Sequence, residues 1–207
     1  MKFRDLLTYV QPEVPGCPAF QIEKAVREAA ITLFSKADIY RAEPEMLLVV
    51  AGVNEYDLTG PTGTEPSRVL DLQYQGRPLT KVADERDIYS IIDSNGPSRP
   101  THYYQRDNET LILAPTPAEA VEFRLFMSLK PNATSTSIPD GIGKEYRHLL
   151  ACGAKSYLML MGAQPWSNPQ LGVANKALFD RGVSGAIRRA TFGNSGAPLT
   201  VKKRNFI

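Results

Sequence analysis

Across residues 18–36, the apolar side chains Ile22, Val26, Ala29, Ala30, Leu33 and Phe34 fall at steps of three and four. That spacing lines one face of an α-helix. Pro18 suits the first turn of this helix, because the N–H that proline lacks has no intrahelical partner there. The stretch before it, PEVPGCP, is a rigid, turn-rich lead-in. From about Met46 to Lys130 the period changes: short runs of β-branched, leucine and aromatic residues are separated by turn signals at Asn54-Glu55, Gly60-Pro61, Gln75-Gly76, Asn95-Gly96-Pro97 and Asp107-Asn108. VLDLQYQGRPL (69–79) and THYYQRDNETLILAP (101–115) each read as a hairpin, and Val121, Phe123, Leu125 and Met127 alternate along one strand face. About six short antiparallel strands are predicted, forming a small sheet or sandwich.

Helical spacing returns after TSTSIPD. Ile142, Tyr146, Leu149, Leu150, Gly153, Ala154, Tyr157, Leu158 and Met161 keep the 3.6-residue period as a wide core stripe. A connector containing Pro165 and Trp166 leads to a second helix near Pro169, where Asn168 is a candidate cap. This helix carries Ala174, Ala177, Leu178, Arg181, Gly185 and Arg188 on one stripe, with Phe179, Val183, Ala186 and Ile187 flanking it. The final GNSGAPLTVKKRNFI is too rich in Gly, Ser and Pro to continue as helix. The predicted fold class is α+β. An antiparallel helical bundle from residues 1–45 and 131–192 carries a small antiparallel β-sheet or sandwich inserted at 46–130, and an extended basic tail at 193–207 follows.

A chain of 207 residues is long enough for one sizeable core or two small ones. The longest apolar run, MLLVVAGV, has eight residues, less than half of the ~20 needed to span a bilayer, so no membrane span is expected. The N-terminal stretch lacks the apolar core and cleavage site of a secretory signal, which points to a cytoplasmic protein. In a reducing compartment Cys17 and Cys152 are expected to be buried, inert thiols. The net charge of +2 says little, but its distribution says more: after Asp180 no carboxylate side chain occurs, while Arg181, Arg188, Arg189, Lys202, Lys203 and Arg204 do.

The usual arrangements for catalysis are missing. GPTGTEPS lacks the lysine of a phosphate-binding loop. His102 and His148, with two distant cysteines, offer too few ligands at any usual metal-site spacing. His148 reads as a helix-flank residue and His102 as a strand residue. Asp84, Glu85 and Asp87 in DERD read as a solvated turn, and DSNG at Asp93 reads as a turn rather than the start of a calcium loop. No enzyme activity, metal or cofactor is predicted. Basic residues near Phe192 and Phe206 suit a phosphate backbone, but the near-neutral total charge and the lack of a reading module argue against a dedicated nucleic-acid binder.

The segment IPDGIGKEYRHLLACGAKSYLMLMGAQPWSNPQLGVANKALFDRGVSGAIRRA resembles the C-terminal half of the head-to-tail adaptor proteins of short-tailed bacteriophages, the family that includes tail tubular protein A. The shared features are an Ile-Pro-Asp helix start, a Gly-Ala pair in mid-helix, a Pro-Trp connector and a following helix. REAAITLFSKADIY resembles the family's N-terminal helix, and RPTHYYQRDNETLILAPTP resembles its hairpin, so the likeness spans most of the chain in order. It implies a helical bundle with an inserted β domain and a structural role in the virion neck after assembly in the host cytoplasm. It also implies a homo-oligomeric ring, typically of about twelve copies. Such a ring binds the portal protein above and a tail nozzle or tail tube protein below, and genomic DNA passes through the lumen without sequence-specific contacts. The rival reading is a carbohydrate-binding or hydrolytic tail-associated module on the β segment, with Tyr103 or Tyr104 stacking on a sugar.

Two local expectations follow. Pro165 and Trp166 read as a structural plug over the open end of the helix pair, the alternative being an exposed interface anchor. In the tail, Leu199, Thr200, Val201, Lys202, Lys203, Arg204, Asn205, Phe206 and Ile207 combine apolar anchors with basic residues. Leu-Thr-Val alternates as a strand does, so the segment suits a sheet edge or groove, with its cations meeting acidic groups. The family resemblance points to the portal as that surface, and the alternative is a disordered end.

Overall fold

Pro18 caps the start of α2 (Ala19–Ala37) with its carbonyl, which accepts from the Gln21 and Ile22 N–H groups at 3.0 and 3.3 Å. Before it, a 3₁₀ turn (Phe3–Leu6), the single-turn α1 (Leu7–Val10) and a second 3₁₀ turn (Gln11–Glu13) bring Phe3, Leu6 and Val10 into the interior. The computed structural model describes residues 1–193, and the rest of the predicted tail lies outside the described residues. Every apolar residue assigned to the α2 face is buried. The helix ends at Asp38 in the left-handed region (φ 49°), which a short polar residue tolerates. Its carboxylate then accepts from Arg68 Nη1 at 2.6 Å and Ser128 Oγ at 2.7 Å, fixing the helix end to the neighbouring sheet.

That sheet contains β1 (Glu45–Val49), β3 (Thr64–Tyr74), β4 (Arg77–Pro78) and β8 (Val121–Pro131) in the order β1-β8-β3-β4. A second sheet holds β2 (Glu55–Asp57), β5 (Thr80–Lys81), β6 (His102–Gln105) and β7 (Thr110–Ala114) in the order β2-β7-β6-β5. All pairings are antiparallel except β5 with β6. Both predicted hairpins form. In the first, Gln75 and Gly76 both have positive φ (48° and 77°), as a two-residue turn matched to strand twist requires. In the second, the Asp107 carboxylate accepts the Glu109 and Thr110 N–H groups, both at 2.8 Å. Leu72, Phe123, Leu125 and Met127 from one sheet and Tyr103, Leu111 and Leu113 from the other share a hydrophobic cluster.

The strand count exceeds the expected six or so, because β2, β4 and β5 are only two or three residues long. A further correction is α3 (Glu85–Ser94), which occupies the stretch read as a solvated turn. Asp84 accepts from the Arg86 N–H at 2.8 Å as an N-cap, and Ile88 is buried against Ile112 and Ala114. DSNG is thereby the end of this helix rather than a free turn.

The helical core is built from α2, α4 (Asp140–Met159) and α5 (Pro169–Phe192), with Leu33, Phe34, Leu150, Ala154, Leu158, Phe179 and Val183 at its centre. Gly153 lies where the three helices meet. A Cβ there would sit 2.7 Å from Ala29 Cβ of α2 and 2.8 Å from the Phe179 ring of α5. The glycine permits this spacing between the helix backbones.

On α5 the sequence pattern left two apolar stripes, and tertiary contact selects the flanking one. Gly172, Asn175, Phe179, Val183 and Ala186 are buried, while Ala174, Ala177, Leu178, Arg181, Gly185, Ile187 and Arg188 are exposed. Cys17 is buried, with burial pushing its thiol pKa up, but Cys152 is only half-buried, contrary to the expectation for both.

Candidate interaction surfaces

The turn between α4 and α5 is fixed by its own backbone. The Asn168 N–H donates to the Met159 carbonyl at 2.9 Å, and the Asn168 side chain accepts from the Leu171 N–H at 3.2 Å with Pro169 in the first turn. Trp166 folds from this turn into the helical core, leaving 8% of its surface exposed. Its indole N–H has no partner among the described residues, so the ring's contribution comes from apolar burial rather than from a polar contact.

Beyond the connector, α5 presents Leu171, Ala174, Leu178, Arg181, Gly185 and Arg188 along one exposed stripe. At 100° per residue this stripe lies roughly 120° around the helix from the buried one. Arg181 and Arg188 are in no ion pair among the described residues, whereas Lys176 pairs with Asp180 at 3.0 Å and Arg189 pairs with Glu145. The strand β1 presents a second surface. Leu47 and Val49 face inward, and Met46, Leu48 and Val50 are 61%, 60% and 50% exposed. Opposite Met46 and Leu48 on β8 stand Arg124 and Glu122. Glu122 and Arg124 share this outward face and Glu43 precedes it, all exposed and outside any ion pair among the described residues, whereas Glu45 falls on the same side of the strand as Leu47 and Val49.

Charged groups elsewhere are locked into structure. Arg106 on the β6–β7 turn donates to Glu85 of α3 and Glu55 of β2, both at 2.8 Å, and also bonds Tyr89 Oη. Hydrogen bonds from Arg106 and then Tyr89 hold the Glu55 pKa below its ordinary value, and the same carboxylates push that of Arg106 up. His148 is exposed on α4, edge-on to Tyr9 at 5.6 Å, with the Arg147 guanidinium 5.7 Å over the same Tyr9 ring. His102 begins β6 and its Nδ1 meets Thr101 Oγ1 at 2.9 Å.

The cavities are open and shallow. A cleft of about 460 Å³ between the sheet and the helical part is lined by Tyr40, Thr62, Thr64, Thr134, Ser135 and Thr136, none of them a carboxylate, histidine or cysteine. Among the described residues no three His, Cys, Asp or Glu side chains are grouped so as to hold a metal, and no helix is long and apolar enough to cross a membrane. Tyr103, assigned to sugar stacking in the rival reading, is only 2% exposed, with burial raising its phenol pKa. Tyr104 packs in part against the α3 cluster. The nine portal-binding candidates from Leu199 to Ile207 lie outside the described residues.

The described surface thus carries two exposed apolar rows flanked by charged side chains. Residues 1–202 match the family described as SU10 adaptor protein, and the chain belongs to that family. It is a structural adaptor of a phage. No curated protein matches the chain.

Proposed function

We propose that this protein is the head-to-tail adaptor of a short-tailed phage. In this reading it forms a ring, typically of about twelve copies, between the portal and the tail nozzle or tube, and the genome passes through the centre. The observation that carries the reading is the family match across residues 1–202. A likeness to the tail tubular protein A kind is supported by the ordered motifs: the Gly153-Ala154 pair, Pro165-Trp166 and the hairpin around Asp107. Two unpartnered apolar rows on one chain are what a subunit with several protein neighbours needs. The fold in this reading is a helical bundle over 1–45 and 131–192 carrying a β sandwich at 46–130, with Pro165 and Trp166 plugging the open end of the α4–α5 pair.

The tail from Leu199 to Ile207 is the portal-attachment device in this reading. Leu199, Val201, Phe206 and Ile207 supply anchors, and Lys202, Lys203 and Arg204 meet acidic groups. The basic residues face protein rather than DNA, because a strongly attractive lumen would hold moving DNA through many phosphate contacts. Mixing the purified chain with the portal tests the reading. A stable complex carrying many adaptor copies supports it, and a mixture in which no adaptor co-migrates with the portal overturns it.

A further inference from the structure

We propose that Asn95-Gly96, at the end of α3, is a site of spontaneous modification, where the Asn95 side-chain amide is lost through a cyclic imide and the residue becomes aspartate or isoaspartate. The proposal stands apart from the ring-forming reading above. Asn95-Gly96 is the one Asn-Gly pair in the sequence.

The pair lies in a run, residues 94–99, that is exposed throughout. The Gly96 N–H, which is the attacking group, has no hydrogen-bond partner among the described residues. Glycine also has no side chain to hinder the approach of its nitrogen. Every other described asparagine is followed by a residue with a side chain, and at Asn168-Pro169 that residue has no N–H at all. Asn95 is extended (φ −121°, ψ 135°), so closing the imide ring requires rotation about its ψ bond. The chain is free to make that rotation. It is next held at Ser98, whose N–H donates to the Thr116 carbonyl at 2.9 Å. The one bond to give up is from Asn95 Nδ2 to the Ile91 carbonyl, at 2.8 Å, and it is exposed to water that can replace it.

In the reaction the Gly96 nitrogen gives its proton to hydroxide and bonds to Asn95 Cγ. The Cγ–Nδ2 bond breaks, and Nδ2 leaves with a proton from water as ammonia. Water then adds to one of the two imide carbonyls. Cleavage of the bond from nitrogen to Cγ gives aspartate, and cleavage of the bond to the main-chain carbon gives isoaspartate. One amide and one water become one carboxylic acid and one ammonia, with no oxidation or reduction. The product has lost the donor that closed the end of α3 on the Ile91 carbonyl. It also sets a carboxylate at a helix C-terminus, where negative charge is unfavourable. Conversion therefore loosens the end of α3.

Incubating the purified full chain in mildly alkaline buffer, then mapping its peptides by mass spectrometry with an enzymatic assay for isoaspartate, tests this. The same chain unfolded in urea is the control. The expected result is aspartate and isoaspartate appearing together at position 95, ahead of every other asparagine. Conversion should be several-fold slower in Gly96→Ala, where an added Cβ meets nothing within 4 Å and the fold is kept. Asn95→Asp should melt below the parent. An Asn95 that converts in the unfolded chain and keeps its amide in the folded one overturns the proposal. So does an equal rate in the parent and Gly96→Ala, or aspartate formed without isoaspartate, which would mean direct hydrolysis. Asn95→Asp melting at or above the parent overturns the stated effect on α3.

Discussion

Replacing Gly153 with alanine adds one methyl group at the point where α2, α4 and α5 converge. That methyl would lie 2.7 Å from Ala29 Cβ and 2.8 and 2.9 Å from two carbons of the Phe179 ring. Ordinary carbon contacts are about 3.5–4.0 Å, so roughly 1 Å must be found on both sides at once. Ala29 Cβ moves only with the α2 backbone, and Phe179 is 6% exposed within the core. Overpacking of this kind costs about 1–3 kcal/mol, and removing a glycine from a helix interior returns about 1 kcal/mol. The net loss is about 0–2 kcal/mol, a fall in Tm of up to roughly 8 °C for a chain of this size. Gly185 provides the opposite case on α5, because nothing lies within 4 Å of an added Cβ. Gly185→Ala gains the propensity alone, a rise of roughly 2–4 °C. Thermal melts followed by circular dichroism on the isolated chain measure both. If Gly153→Ala melts above the parent temperature, as Gly185→Ala is expected to, the three-helix contact does not constrain the core as described.

Trp166→Ala removes a large buried ring and is expected to cost about 3–5 kcal/mol. Trp166→Phe costs much less, because the indole N–H has no hydrogen bond to lose, and equal losses in chemical denaturation would contradict the apolar-plug reading. Glu55 has a pKa lowered chiefly by its hydrogen bond from Arg106. Its stabilisation is therefore present above the ordinary value of 4.5 and is lost as pH falls through the lowered one. Glu55→Gln should accordingly narrow the difference between melting temperatures at neutral and strongly acidic pH, and an unchanged pH profile would refute this. Replacing residues 46–130 with a short Gly/Ser linker should leave a soluble helical core, because the flanking segments are adjacent. The Leu129 N–H donates to the Tyr40 carbonyl at 2.7 Å, and the Ala42 N–H to the Met127 carbonyl at 3.0 Å. Loss of all helical circular dichroism would show a shared core. Deleting residues 199–207 should leave Tm nearly unchanged and abolish portal binding, and normal copy number in necks after the deletion would show that attachment lies elsewhere.

Helix α2 was legible because its buried face is a complete three-and-four pattern. Strand β8 was legible because strict alternation of Phe123, Leu125 and Met127 fits only a half-buried strand. Helix α3 was missed although its signal is present: Asp84 as a cap, then Ile88, Ile91 and Ile92 at helical steps. The interleaved charges of DERD drew the reading toward a solvated turn. On α5 two apolar stripes competed, and local sequence cannot rank them. The choice depends on Phe179 meeting Gly153, which is 26 positions away in the chain. The exposed rows on β1 and α5 were hidden for the same reason: an apolar residue predicts burial, and only the folded chain shows which ones remain uncovered. The portal-binding candidates of the tail rest on composition and on the family resemblance, because they lie outside the described residues.

The most direct test of the account is cryo-electron microscopy of intact virions with the neck density assigned to this chain. The account predicts a closed ring of many copies between portal and tail nozzle, its central channel open to the genome. Density for this chain elsewhere on the particle, or a single copy at the neck, would contradict it.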